Sequence, residues 1–247
     1  MIALGILGMA LALVAACSDS DGSGPLTAAE AEEIASQALL IVDDLPDGDW
    51  DQQESQAGLE GLVPGGADDL DFDILPDACR VFEDAIGDLP ALLGDASPLA
   101  TASRTFTDVG QLLNLDALSA TVVVFEEADG ARDAAALLDA AFSADNLEGC
   151  IQAAIIPAGD DGLQIVEFSL TTPTYALSDS TALTASIEAI ALILPVNVTI
   201  ELHAFQRANV LALYVGVQIN SERLSDEQAG LLATFVNRIE EAQTKVR

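Results

Sequence analysis

Basic residues are scarce in this chain. Eight lysines and arginines stand against 41 aspartates and glutamates in 247 residues, so the formal net charge is −33. Nucleic-acid binding is excluded, because it requires clustered basic side chains that neutralise phosphates. An anionic membrane surface would also repel the chain, so its attachment to a membrane cannot depend on basic side chains and needs another means. We interpret the excess of acids as a solvated, self-repelling surface rather than a store of divalent cations.

Groups that commonly carry catalysis are equally scarce. His203 is the single histidine, which excludes a histidine-rich zinc site, and no Gly-x-Ser-x-Gly motif marks a serine nucleophile. Aromatic residues make up 4% of the chain, too few for the platforms that sugar-binding clefts use. The carboxylates are numerous enough for a paired-acid hydrolase. We predict a protein that is not an enzyme and has no cofactor, with such a hydrolase as the least favoured alternative.

One acidic segment, residues 43–54, partly matches a calcium-binding loop. Its acids occupy several ligand positions of such a loop, but Leu45 stands at the third position and Pro46 stiffens the fourth. The pattern therefore favours an acidic loop without a bound metal.

No apolar run is long enough to suit a bilayer crossing. The run Ile2–Val14 has about 13 residues, which fits the core of a secretory signal rather than a transmembrane helix. It ends in Val14-Ala-Ala-Cys17, which resembles the lipobox of bacterial lipoprotein signal peptides, where the cysteine thiol receives diacylglycerol. We predict a signal peptide over residues 1–16, a lipidated flexible tether over 17–26 and an extracytoplasmic domain over 27–247. Lipid on Cys17 would then hold the domain to the outer face of the cell membrane.

Only three cysteines are present, and Cys17 is assigned to the lipid. The remaining two, Cys79 and Cys150, lie on apolar stripes of predicted helices. Since an exported protein meets an oxidising compartment, we predict a disulfide between them. The alternative is two separate buried thiols.

The rest of the chain predicts one α+β domain, an antiparallel sheet with helices packed mainly on one side. A capping box, Thr27 with Glu30, begins a first helix, and a second box, Ser225 with Gln228, begins the last one. The stretch Asp43–Gln56 is polar and is predicted to be loop. Further helices are predicted over about 76–90, 129–142 and 145–155, and strands over 101–107, 117–125, 163–171, 181–193, 196–207 and 210–219. The last four strands predict a meander, its final hairpin turning at Ala208-Asn209.

The strand 196–207 has one polar face that could bind a ligand. Alternation along the strand places five polar side chains on that face, together with Phe205: Asn197, Thr199, Glu201, His203 and Arg207. The face is either a solvated side of the sheet or the floor of a cleft. Because Arg207 and His203 would locally relieve the negative field, a cleft here would suit a small polar or anionic ligand.

Several short motifs follow one another in an order that resembles a known family. They are Asp44-Leu-Pro-Asp-Gly48 with Trp50 close behind, Val122-Val-Val-Phe125 leading into an alanine-rich helix, and the Arg207-Ala-Asn-Val210 hairpin before the last helix. With the two cysteines, this order resembles PknH-like extracellular sensor domains, which occur outside bacterial receptor kinases and in lipoproteins. The resemblance implies an unidentified ligand in a cleft beside an antiparallel sheet, and no catalytic residues.

We therefore expect a membrane-anchored lipoprotein whose extracytoplasmic domain is a sensor-like module without catalysis. Its partners would be the membrane, through the lipid on Cys17, and an unidentified small ligand or envelope protein. The alternative is a lipid carrier of the cell envelope, which should contain a large apolar cavity.

Overall fold

The computed structural model describes residues 26–55, 98–109, 114–142, 147–148, 163–177, 180–191, 194–221 and 223–246. Within these ranges the chain forms three α-helices and a single seven-stranded sheet. The helices are α1 (Ala28–Ala38), α2 (Ala128–Ala141) and α3 (Arg223–Val246). The strands are β1 (Asp51–Ser55), β2 (Pro98–Val109), β3 (Leu115–Phe125), β4 (Leu163–Thr171), β5 (Ser180–Ala191), β6 (Leu194–Arg207) and β7 (Val210–Ile219).

Several predictions lie wholly or mostly outside the described residues. These are the signal peptide over 1–16, the tether over 17–26, the lipidation of Cys17, the disulfide between Cys79 and Cys150, and the helix over residues 76–90. Of the helix predicted over 145–155, only residues 147–148 are described, and these are helical. The rest stay predictions.

The strands are ordered β1-β2-β3-β7-β6-β5-β4, and every neighbouring pair is antiparallel. Strands β4 to β7 form the predicted meander, and β7 then pairs with β3, which joins the two halves of the sheet. The predicted hairpin turn is confirmed, with Ala208 at a positive φ of 51° between β6 and β7. The α+β class is therefore confirmed.

Helices cover both faces of the sheet. One face packs against α1 and α3, and its core includes Ile34, Phe205 and Phe235. The other face packs against α2 through a smaller cluster that includes Phe125 and Leu211. Since both faces of central β3 are covered, the run Val122–Phe125 is apolar throughout instead of alternating.

The capping residues in the sequence correctly predict where α1 begins. Thr27 accepts a hydrogen bond from the Glu30 amide, and the Glu30 carboxylate accepts one from the Thr27 amide, so the capping box is present. The helix buries Ala31, Ile34 and Ala38 against the sheet. Within the described ranges, no helix combines the length and apolar character needed to cross a bilayer.

Two structural predictions were wrong. The polar stretch predicted to be loop contains β1, whose residues Asp-Gln-Gln-Glu-Ser carry no strand signal, because β1 is an edge strand and its residues 51–54 are exposed. The last helix begins at Arg223 instead of at a cap on Ser225. Ser225 and Gln228 both bind sheet residues, so tertiary contacts use the side chains that the sequence assigned to capping.

Candidate functional site

The candidate site is a buried cluster of polar side chains beneath the first turns of α3. It contains residues from β6, β7, α3 and the loop before β5: Tyr175, Glu201, His203, Tyr214 and Gln228. We call these five residues the His203 cluster. The β6–β7 register builds its base, because His203 stands opposite Tyr214 and Glu201 stands opposite Gly216. Residues two apart on a strand share a face, so these side chains lie on the α3 side of the sheet.

His203 lies at the centre of the cluster and is 0% exposed. Its ring centroid is 5.8 Å from that of Tyr175 and 5.7 Å from that of Tyr214, the latter in an edge-on arrangement. Its Nε2 atom is 3.7 Å from Glu201 Oε2, which is beyond hydrogen-bond distance. Neither ring nitrogen has a hydrogen-bond partner in the part of the chain that the structure describes.

Glu201 is buried beside His203, with 5% of its surface exposed. The Tyr175 hydroxyl donates a hydrogen bond to Glu201 Oε2 at 2.5 Å. Burial, this hydrogen bond and the charge of Glu201 all raise the pKa of Tyr175 above its ordinary value. Tyr175 is the one partly exposed member of the cluster and the only one on a loop, which makes it the cluster's outer wall.

Tyr214 and Gln228 form the inner wall. The Tyr214 hydroxyl donates to Gln228 Oε1, while the buried Gln228 Nε2 has no partner among the described residues. Burial, followed by the charge of Glu201 and the nearness of Tyr175, raises the pKa of Tyr214 well above its ordinary value. Gly216 gives the Gln228 amide its space, because a Cβ there would lie 2.9 Å from Nε2.

The structure brings together only two of the five residues predicted for the ligand face. Glu201 and His203 are neighbours and buried, so of the two possibilities a solvated face does not hold for them. The physical reason is that Tyr175 and Gln228 come from outside the strand and cover this part of the face. Asn197 is exposed near the start of β6, and Thr199 is partly buried.

Arg207 is separated from His203 by Phe205. Its guanidinium lies 5.5 Å from the Phe205 ring centroid, and its Nε is 3.8 Å from Glu240 Oε1. The charged residue beside His203 is therefore Glu201. Arg207 does not offset the negative charge around His203, contrary to the expectation from the sequence.

Sequence reasoning missed Tyr175, Tyr214 and Gln228. The position of Tyr214 could have been found, because a two-residue turn at Ala208-Asn209 fixes the register and sets Tyr214 opposite His203. The contact of Tyr175 depends on the path of a loop, for which the sequence has no signal.

A second polar cluster lies where β2 ends and β3 begins, and it has a structural role. Arg223 forms ion pairs with Asp108 at 2.5 Å and with Asp116 at 3.1 Å. Its guanidinium also lies 5.7 Å from the Trp50 ring centroid. A Cβ at Gly48 would lie 2.4 Å from Arg223 Nη1 and from Asp108 Oδ2, so a larger residue there would force this ion pair to shift. The segment around Gly48 and Trp50 is therefore tied to the sheet through Arg223.

The acidic stretch before β1 also has structural partners. Asp44 pairs with Arg238 of α3, with Oδ2 2.6 Å from Nε. Within the described ranges, no group of three or more His, Cys, Asp or Glu residues is placed to hold a metal ion.

An open cleft lies between α1 and β2, away from the His203 cluster. Its volume is about 630 Å³, and it is lined by Glu32, Glu33 and Ser36 of the helix and by residues 99–102 of the strand. The lining mixes these two glutamates with small residues, mainly alanines, and Leu99 is its one large apolar side chain.

The chain is similar to a solved structure, the extracellular domain of PknH from Mycobacterium tuberculosis. The two share 14% sequence identity, the match covers 88% of this chain and 98% of that one, and the TM-score is 0.44. No family model and no curated protein matches the chain. We infer function from the residues of this chain alone.

Proposed function

We propose that this chain is a membrane-anchored lipoprotein whose extracytoplasmic domain is a sensor-like module that binds a small polar ligand without catalysis. The observation that carries the ligand-binding role is the fully buried imidazole of His203, whose two nitrogens lack partners among the described residues. The lipobox-like Val14-Ala-Ala-Cys17 carries the anchoring.

Unpaired buried polar atoms are unusual because each lost hydrogen bond is costly. A buried donor or acceptor without a partner destabilises a fold by about 1 to 3 kcal/mol, and native structures keep few of them. Here His203 and Gln228 contribute three such atoms to one cluster. A ligand with complementary polar groups would recover that free energy on binding, so the cluster supports a recognition site.

The two alternative functions receive less support. A lipid carrier needs an enclosed apolar cavity, whereas the cleft beside α1 is open and carries Glu32 and Glu33. A paired-acid hydrolase needs one carboxyl free to donate a proton. Asp108 and Asp116 both bind Arg223, and Glu201 accepts from Tyr175.

Native mass spectrometry of protein purified from the envelope tests the binding role. The wild type should carry a bound small molecule, and His203→Phe should lose it, because phenylalanine keeps a ring between the tyrosines but removes both nitrogens. Asn197→Ala is the matched control, since Asn197 lies exposed on the same strand. Its bound mass should equal that of the wild type. A wild type without bound ligand, or a His203→Phe variant that retains it, contradicts the proposal.

The anchor needs a separate experiment. Cells grown with labelled fatty acid should incorporate label into the wild-type chain, whereas Cys17→Ala should accumulate as an unlabelled precursor. Equal labelling of the two chains contradicts lipidation and leaves the ligand-binding role untouched.

A further inference from the structure

The charge around the His203 cluster determines which ligands can enter it. Glu201 is a buried carboxylate, and its hydrogen bond within the described ranges comes from Tyr175. No lysine or arginine of those ranges forms an ion pair with it. A carboxylate has several acceptor sites, so Glu201 has capacity for a further donor.

The surroundings of Glu201 favour a positive donor over a neutral one. A charge-assisted bond from an ammonium group is stronger than a neutral hydrogen bond, and aromatic faces attract cations. Tyr175 and Tyr214 place two such rings around His203. The net charge of −33 raises the local concentration of cations and lowers that of anions. An anion would instead have to lie beside the buried carboxylate.

Among the five residues of the His203 cluster, Tyr175 is the one that solvent reaches. His203, Tyr214 and Gln228 are at most 1% exposed and belong to strands or to α3, whereas Tyr175 is partly exposed on the loop before β5. Its hydroxyl occupies one acceptor site of Glu201, and its ring covers one side of His203. Among the described residues, Tyr175 is therefore the side chain whose displacement would open a path to both groups.

We propose that the ligand is a small organic amine, whose ammonium group binds Glu201 in the place that the Tyr175 hydroxyl now fills. This inference rests on the ligand-binding function proposed above and specifies its chemistry. The N–H groups of His203 and Gln228 favour an amine that also carries a hydrogen-bond acceptor, such as a hydroxyl or carbonyl oxygen. The structure thus reverses the preference for an anionic ligand that Arg207 suggested in the sequence.

A series of three phenols that differ in charge tests the ligand class. Tyramine is a cation, 4-ethylphenol is neutral and 4-hydroxyphenylacetate is an anion, while ring and size stay similar. His203 is the single histidine, so its imidazole gives one unambiguous set of nuclear magnetic resonance signals. Titrated into the wild type, tyramine should shift these signals with a Kd at least tenfold below that of 4-hydroxyphenylacetate.

Variants of Glu201 and Tyr175 assign the effect to the site. Glu201→Gln keeps the shape and should weaken tyramine at least tenfold, with 4-ethylphenol changed less than twofold. Glu188→Gln removes the same charge at an exposed position of β5 and should leave all three affinities unchanged. Tyr175→Phe, which loses the hydroxyl but keeps the ring, and Tyr175→Ala should both bind tyramine more tightly.

The outcomes separate the ligand class from the binding role. If 4-ethylphenol or 4-hydroxyphenylacetate binds as tightly as tyramine, the amine proposal is wrong but the cluster still binds ligands. If none of the three shifts the His203 signals in the Tyr175 variants, the amine proposal is wrong, and the native mass spectrum of the wild type decides separately whether the cluster binds another ligand. A tyramine affinity that Glu201→Gln leaves intact also overturns the amine proposal.

Discussion

Replacing Arg223 by alanine should be among the most destabilising single changes in the described part of the chain. The guanidinium pairs with Asp108 and Asp116, whose side chains are 8% and 1% exposed, while Arg223 itself is 33% exposed. It also donates a hydrogen bond to the Asp47 carbonyl at 3.1 Å. The variant would leave two buried carboxylates without their counter-charge.

The expected loss of folding free energy can be estimated from the burial of the two carboxylates. Breaking a buried ion pair costs about 3 to 5 kcal/mol, and we take the lower end because water reaches part of Arg223. About 3 kcal/mol lowers the Tm of a domain of this size by roughly 6 to 12 °C. Arg223→Lys keeps the charge but loses the two-pronged geometry, so its Tm should lie between those of the wild type and Arg223→Ala.

Arg132→Ala is the matched control for this experiment. Arg132 also pairs with an aspartate, Asp129, at 2.6 Å, but the two side chains are 63% and 72% exposed. Exposed pairs contribute below about 1 kcal/mol, so the Tm should fall by only a few degrees at most. Thermal unfolding followed by circular dichroism measures both variants. The fluorescence of Trp50, the single tryptophan, should change only for Arg223→Ala. Equal Tm values for the two variants would refute the structural role assigned to Arg223.

Three further predictions concern the two tyrosines and two of the glycines. The chain has two tyrosines, Tyr175 and Tyr214, and burial raises the pKa of both. The folded protein should therefore show no phenolate absorbance as the pH passes about 10, the ordinary tyrosine value. Above that pH the unfolded chain binds fewer protons than the folded one, so stability should fall as pH rises, and a native phenolate band at the ordinary pH would contradict the burial. Gly48→Ala should destabilise by about 1 to 3 kcal/mol because its methyl group would collide with Arg223. Gly230→Ala, in α3 with nothing within 4 Å of the added Cβ, should stabilise by about 1 kcal/mol; Tm shifts of the same sign in both variants would contradict this pair of predictions.

Elements with local signals could be predicted from the sequence. The capping box at Thr27 and the turn at Ala208-Asn209 depend on neighbours in the chain, and both are present. The run Val122–Phe125 was recognisable as a strand because its residues are β-branched or aromatic. Strand β1 has no such signal, since it exists only through its pairing with β2.

The sequence predicted part of the candidate site, again because some of its residues are placed by local rules. Alternation along β6 correctly put Glu201 and His203 on one face, because a strand repeats every two residues. What covers that face depends on long-range contacts. Gln228 looked like a capping residue, and no local rule brings Tyr175 to Glu201 across 26 positions of the chain.

The position of β7 between β3 and β6 determines the order in which the sheet can be completed. Strands β2 and β3 can pair early, and so can β4 to β6, but each group keeps an open edge until β7 is available. Open edges bind other chains, and pairing Leu115 with Ile219 closes a long loop, which makes folding slow. A chain truncated before Val210 would leave the inner edges of β3 and β6 unpaired, and we expect it to aggregate, whereas one that extends through Ile219 can pair both edges with β7.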